Sequence, residues 1–226
     1  KGFTPNPCVV CNKEIKFGLL LEKSLKLGAD YLATGHYARK KEIKDKNDKI
    51  YYKLQKGKDK AKDQSYFLWR LNQNQLKHIL FPVGSYKKEE VRKLAKKFKL
   101  PVYNSKESME VCFIPKSVNE FVKKYIKEKK GDIICNNKKI GEHNGVWFYT
   151  IGQRRGINLS NGPFYVINKD IRKNILYVSK EEKDLLVKET KIKDINFILK
   201  EGIKLPLSVS AKARYGQKEF KIVVNK

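Results

Sequence analysis

Leu27-Gly28-Ala29-Asp30-Tyr31-Leu32-Ala33-Thr34-Gly35-His36-Tyr37-Ala38-Arg39 is the stretch on which the fold turns. Gly28 follows an apolar periodic segment, as a helix C-cap does. Residues 29–34 then read as a short buried strand, and Gly35 stands at its carboxyl end. Helix, strand and terminal glycine make one repeat of an α/β sheet, and the carboxyl edge is where such sheets bind ligands.

Upstream, Ile15, Leu19, Leu20, Leu25 and Leu27 recur at helical spacing, so a helix is expected over 14–27. Pro5 and Pro7 hold the approach to it extended. Downstream, the Lys-rich 40–63 stretch reads as a solvated hairpin around a strand at 49–54. Tyr66, Phe67, Leu68, Leu71, Leu76 and Leu80 predict a helix over 64–80. A second amphipathic helix is expected over 87–99, ending before Pro101. From about residue 131 the texture changes to short strands and turns. Strands are expected at 131–134, 147–151, 164–167 and 209–215. Boundaries fall near 118 and 187, giving three regions: 1–118, 119–186 and 187–226. No internal repeat is visible.

The 226 residues hold 51 Lys+Arg against 24 Asp+Glu, a formal net charge of +27. Such an excess points to a polyanionic partner, although a genome biased toward Lys produces the same imbalance. No apolar run approaches the roughly 20 residues of a membrane span, and no secretory signal is visible. The expectation is a soluble, cytoplasmic protein with no membrane partner. The absence of an initiator Met and the abrupt end at Lys226 read as a fragment.

Four cysteines in a chain of this kind are poor candidates for structural disulfides. Cys8-x2-Cys11 has zinc-like spacing, but no second pair follows, so no metal site is expected. Cys135 reads as a small apolar residue in a strand. Two cysteines remain in dense motifs: Cys11 in Thr4-Pro5-Asn6-Pro7-Cys8-Val9-Val10-Cys11-Asn12, and Cys112 in Ser108-Met109-Glu110-Val111-Cys112-Phe113-Ile114-Pro115. Cys11 reads as preceding a helix, whose dipole favours the thiolate. Cys112 reads as a loop thiol open to an outside donor. Two thiols on a basic chain suggest sulfur chemistry on RNA, because one thiol releases sulfur carried as a persulfide on the other.

These motifs resemble the bacterial tRNA-uridine 2-sulfurtransferases, the tRNA 2-thiouridylases. Residues 2–17, 27–39, 62–68, 80–101, 108–115 and 141–156 match in the family's order, with Thr150-Ile151-Gly152-Gln153-Arg154-Arg155-Gly156 the most specific. The resemblance implies an adenine-nucleotide alpha-hydrolase-like α/β domain, a small β-rich central domain and the start of a C-terminal β-barrel. It implies ATP-dependent transfer of persulfide sulfur to C2 of the wobble uridine. In that picture Cys11 is the nucleophile and Cys112 the persulfide carrier, joined transiently by a disulfide. Asn6, Pro7 and Cys8 face the target base, Gly35 contacts ATP, and His36, Lys62, Asp63, Gln64, Arg214 and Tyr215 contact tRNA. Implied partners are tRNA, ATP with Mg2+, and a sulfur-relay protein or cysteine desulfurase as donor.

The sequence departs from the family pattern in three ways. An SGGxDSS-type phosphate loop is not in these residues, so the chain alone is expected to be inactive. The last tRNA-contacting stretch is expected beyond Lys226. Met109 stands where Gln is common, and Cys8 where an acidic residue is common.

Alternatives stay open. Cys8, Cys11 and Cys112 could ligate three irons of a [4Fe–4S] cluster. The chain also reads as a non-catalytic RNA-binding module. Asp63 reads as a helix N-cap, an RNA contact or both. Arg154 and Arg155 read equally as a solvated turn or a phosphate contact. Tyr215 reads as core or RNA contact.

Overall fold

The structure, a computed structural model, describes residues 4–105, 111, 112, 114, 118–199 and 202–226. The chain forms two compact units. One holds Pro7–Glu107 with Asp194–Lys226, the other Lys1–Asn6 with Ser108–Lys193.

The first unit opens with a helix in three parts. An α-turn, α1 (Pro7–Val10), widens into a π-helix at Cys11–Leu20 and tightens again into α2 (Leu21–Lys26). Proline suits a first helical position, where its missing N–H is no loss. The helix therefore begins at Pro7, upstream of the expected residue 14. Gly28, at φ 89°, ends it in the left-handed region that glycine occupies without strain.

The expected apolar face is corrected as well. Ile15, Leu19, Leu20 and Leu27 are exposed, while Phe17 and Leu21 are buried. A π-helix bonds i to i+5, so each residue in it turns through a smaller angle than the α-helical period assumes. The stripe counted at 3.6 residues per turn then no longer marks the buried side.

Strand β1 (Leu32–Ala33) is shorter than expected and pairs in parallel with Ile79–Leu80 further on. The expected hairpin is present as β2 (Ala38–Lys44) and β3 (Ile50–Lys56), antiparallel through all seven pairs. The long helix expected over 64–80 is replaced by a 3-10 turn at Ser65–Phe67, a short α3 (Gln73–Lys77) and strand β4 (Ile79–Leu80). Asn72 starts α3 with a capping box: its side chain accepts from the Gln75 N–H at 2.9 Å, and Gln75 Oε1 accepts from the Asn72 N–H at 3.1 Å. Leu68, Leu71, Leu76 and Ile79 keep their core role, all buried to 1% exposure or less. They pack with Phe17, Leu21 and Ala38 into one cluster.

Helix α4 (Lys88–Lys97) matches its expected span. The returning segment 194–226 contributes an antiparallel hairpin of Leu207–Ala211 with Phe220–Val224. Two amide side chains fasten it. Gln73 Nε2 donates to the carbonyls of Tyr52 and Ile198, both at 2.9 Å. Asn196 Nδ2 donates to those of Trp69 (2.6 Å) and Leu71 (3.0 Å).

The second unit carries α5 (Val118–Lys123) and a four-stranded sheet. Its strands are β5 (Gly131–Cys135), β6 (Lys138–His143), β7 (Tyr165–Asp170) and β8 (Ile175–Ser179), in the order β6-β5-β8-β7. Only β5 and β8 run parallel among these pairs. Ile133, Val146, Phe164, Val166, Leu176 and Val178 form its core, with Cys135 packed against it from β5. The strand expected at 147–151 is a 3-10 turn at Val146–Phe148, entered through Gly145 at φ 140°.

Candidate active site and nucleic-acid surface

Cys11 heads the π-helical stretch and is half-buried. It does not precede the helix as expected. Pro7 starts the helix, so the cysteine of its first turn is Cys8, also half-buried. The helix geometry around Cys11 is held from outside. Asn12, the next residue, is buried, and its Nδ2 donates to the Phe67 carbonyl at 3.2 Å. Gln75 Nε2 donates to the carbonyls of Phe17 at 2.8 Å and Lys13 at 3.5 Å. A Cβ at Gly18 would meet the Lys13 carbonyl oxygen at 2.9 Å, so glycine permits the wide turn. Asn12 and Gln75 were not singled out from sequence. For Asn12 the available signal is a polar residue beside a motif thiol; for Gln75 it is only its place three residues after the capping Asn72.

Phe17 connects this helix to the sheet edge. Its ring lies 5.8 Å from that of His36 and 6.3 Å from that of Phe81. His36 Nδ1 lies 2.9 Å from Thr34 Oγ1. Burial, and then the charge of Lys16, push the imidazole down from 6.5 to about 4. It is therefore neutral at physiological pH. Gly35, just past β1, is exposed, with no atom within 4 Å of where a Cβ would stand.

The 62–64 segment runs beside His36. Gln64 clamps the following residue: its Oε1 accepts from the Tyr37 N–H at 3.0 Å, and its N–H donates to the Tyr37 carbonyl at 2.9 Å. Asp63 is buried. Its carboxylate accepts from the N–H groups of Gly57 (2.9 Å) and Ser65 (3.2 Å) and from Ser65 Oγ (2.9 Å). It caps a turn of the 57–65 loop, while the 3-10 turn that follows has no side-chain cap. Lys62 is half-buried.

Arg214 and Tyr215, both exposed, lie at the tip of the 207–224 hairpin. The Tyr215 ring sits 4.6 Å from that of Phe67 and 6.0 Å from that of Tyr66. Tyr66 Oη donates to the Ala213 carbonyl at 3.1 Å. Thus Pro7, Cys8, Cys11, Gly35, His36, Lys62, Asp63, Gln64, Arg214 and Tyr215 belong to one unit.

Asn6 and Cys112 belong to the other unit, where Asn6 is half-buried and Cys112 is an exposed thiol in a turn. Ser108, Met109, Glu110, Phe113 and Pro115 of the Cys112 motif lie outside the described residues, as does Gly2. All four cysteines are free thiols. Among the described residues, no group of three His, Cys, Asp or Glu is placed to hold a metal ion. Also among them, no helix is long and apolar enough to cross a membrane.

In the second unit, the Thr150–Gly156 turn is held by Gln153. Its Oε1 accepts from the Thr150 N–H at 3.0 Å, and its Nε2 donates to the Arg155 carbonyl at 2.9 Å. Arg154 and Arg155 are exposed on it.

Residues 1–116 match a family described as tRNA methyl transferase HUP domain, and residues 119–180 one described as tRNA methyl transferase PRC-barrel domain. The architecture is thus an α/β HUP domain followed by a β-rich PRC-barrel domain. The chain is 47% identical over 228 residues to tRNA-specific 2-thiouridylase MnmA of Syntrophomonas wolfei subsp. wolfei, covering 100% of this chain and 66% of that protein. It is 48% identical over 229 residues to MnmA 2, of the same description, from Thermoanaerobacter sp. (strain X514), covering 99% and 62%. Against the MnmA protein of Buchnera aphidicola subsp. Acyrthosiphon pisum the identity is 49% over 231 residues, covering 97% and 61%. The chain therefore spans 61–66% of the length of these curated relatives. With the HUP-domain match extending over more than half of its residues, the chain belongs to the tRNA-specific 2-thiouridylase family.

Proposed function

We propose that the chain is the thiol-bearing and RNA-binding part of a cytoplasmic enzyme that replaces O2 of the tRNA wobble uridine with sulfur. The observation that carries this reading is the free Cys11 at the head of a braced π-helix, beside a turn and hairpin rich in basic and aromatic residues. The names of the relatives support the product class.

The chemistry assigns each thiol a step. ATP with Mg2+, bound near Gly35 in the whole protein, would turn O2 of the uracil into a leaving group. A sulfur-relay protein or cysteine desulfurase delivers a persulfide to Cys112, whose exposure suits an outside donor. The terminal sulfur attacks C2, and the C2–O bond breaks as the adenylated oxygen leaves with AMP. The Cys11 thiolate then attacks Cys112 Sγ, the sulfur–sulfur bond breaks toward the base, and a Cys11–Cys112 disulfide is left for a reductant to open. Asn6, Pro7 and Cys8 flank the base in this reading. His36, Lys62 and Arg214 meet the RNA, Asp63 and Gln64 shape that contact, and Tyr215 belongs to it. The regions 1–118, 119–186 and 187–226 are then parts of a catalytic, a central and a C-terminal domain, and isolated residues 1–226 are inactive.

The test is mass spectrometry of digested tRNA from cells carrying the full-length protein. Cys11→Ser and Cys112→Ser should each abolish 2-thiouridine, while Cys135→Ser leaves it nearly unchanged. Wild-type thionucleoside in either of the first two variants overturns the thiol assignment. Brown colour after anaerobic purification would replace it with the [4Fe–4S] route. A methylated uridine in place of a thiolated one would favour the chemistry in the family's description. Binding of tRNA by the wild type with neither product would leave an RNA-binding module.

A further inference from the structure

Helix α4 ends in an apolar surface that stands in solvent. Phe98 is 65% exposed and Val102 63%, and Leu100 and Tyr103 are exposed as well. These side chains sit on a formed turn. The Leu100 N–H donates to the Ala95 carbonyl at 2.9 Å and the Lys99 N–H to the Lys96 carbonyl at 3.0 Å, the paired bonds of a Schellman stop. Lys99 takes the left-handed conformation there, at φ 53°, where glycine is usual. Pro101 opens a 3-10 turn, Pro101–Asn104. The Ser105 N–H then donates to the Val102 carbonyl at 3.1 Å, and Arg92 Nη2 of α4 donates to the Ser105 carbonyl at 3.2 Å. The segment is tied back to its helix, so the apolar side chains are presented in a preset arrangement.

The surface has a cationic border. Lys93, Lys96, Lys97 and Lys99 are exposed and form no ion pair among the described residues. The carboxylates of α4, Glu89 and Glu90, lie in its first turn at the opposite end, and Glu90 already contacts Lys58. An apolar centre with a charged rim is the anatomy of a protein-binding surface. RNA offers phosphates to cations and flat bases to rings, and neither makes use of the aliphatic Leu100 and Val102. Four uncompensated lysines select carboxylates on the partner.

In sequence this surface leads directly to a thiol. Ser105 precedes Cys112 by seven residues, at most about 25 Å of fully extended chain. We infer that the persulfide donor, a protein with an apolar patch edged by carboxylates, docks on Phe98, Leu100, Val102 and Tyr103. This rests on the reading of Cys112 as the persulfide carrier and adds the place where its donor sits. With the donor held there, the Cys112 thiolate attacks the donor's outer sulfur. The donor's sulfur–sulfur bond breaks, the donor leaves as a thiolate, and Cys112 keeps the persulfide. A preset surface lowers the ordering cost of an encounter that must be repeated at every turnover.

The experiment uses the full-length protein and, as donor source, a soluble extract of cells lacking it, supplied with [35S]cysteine. Phe98→Glu and Val102→Glu, both changes at exposed positions, should each slow labelling of Cys112 roughly tenfold, the scale of one lost interface anchor. Lys96→Glu combined with Lys99→Glu should slow it several-fold, and less so at high salt. Glutathione persulfide, a small donor that needs no docking, should load Cys112 equally in all variants and the wild type, as read by mass spectrometry. A benzophenone cross-linker in place of the Tyr103 side chain should capture a protein that carries 35S on a cysteine. Wild-type labelling in Phe98→Glu or Val102→Glu overturns the inference. So does slowed loading from glutathione persulfide, a cross-link to another part of the same chain, or weakened tRNA binding in these variants, which would make the surface an RNA contact. A wild-type protein whose Cys112 takes up no 35S from the extract would instead remove the reading beneath it.

Discussion

His36 shows how one residue's surroundings decide its charge. Its ring lies near Phe17 and Phe81, and Lys16 adds an unfavourable positive charge. The imidazole therefore refuses a proton until about pH 4, whereas in the unfolded chain it accepts one near 6.5. The unfolded state binds more protons between those values, so this group's contribution to stability is complete above about pH 6.5. It declines as pH falls toward 4, and below that it stops changing. His143, buried in the second unit with its Nδ1 accepting from the Gly145 N–H at 2.9 Å, is shifted in the same direction by burial. The prediction is that urea titrations from pH 7 to 4 show stability falling, with a shallower fall in His36→Asn. Imidazole NMR of the folded protein should show no protonation of His36 above pH 5. A resonance titrating near 6.5 would mean that the ring is not enclosed as described. Residue identity made His36 visible in the sequence beside Gly35. Its neutrality was not legible, because the rings that enclose it come from residues 17 and 81.

The π-helix illustrates what patterns along one element can and cannot reveal. The reading of residues 14–27 as helical holds in outline. The face it buries was misassigned, because a change of bonding partner from i+4 to i+5 leaves no mark in composition. The apolar spacing in 64–80 identified true core residues but the wrong element, since a 3-10 turn, a capped helix and a strand present Leu68, Leu71, Leu76 and Ile79 to the same core. Gln75 is the side chain that makes the wide helix tenable. One amide serves two carbonyls of that helix and completes the capping box at Asn72. Gln75→Leu should cost about 1–3 kcal/mol of stability, the scale of leaving such carbonyls unserved. It should also speed alkylation of Cys11 while Cys135, in the other unit, keeps its rate. Iodoacetamide labelling followed by peptide mapping measures both. Equal rates at Cys11 in variant and wild type would confine Gln75 to a purely structural role.

At the scale of the whole molecule, a formal charge of +27 must act as a field as well as through contacts. Affinity for tRNA should fall log-linearly with salt as condensed counterions are released. Lys62→Ala and Arg214→Ala in the full-length protein should each flatten that slope by about 1, as measured by filter binding at several salt concentrations. Slopes equal to the wild type in both would take them out of the RNA contact. The order in which the first unit is assembled follows from its discontinuity. Asn196, Ile198 and Glu219 bond to Trp69, Leu71, Gln73 and Lys56, partners 125 to 163 positions earlier in the chain. On the ribosome these partners emerge first and wait while residues 108–193 are made. Until residues 194–226 arrive, the carbonyls of Trp69 and Leu71 lack the Asn196 amide, and Tyr66 and Phe67 lack Tyr215. The nascent chain thus completes its first unit only after the 108–193 segment has been made, and ribosomes that stop short of the hairpin release a polypeptide that carries Cys11 but lacks the Tyr215 ring.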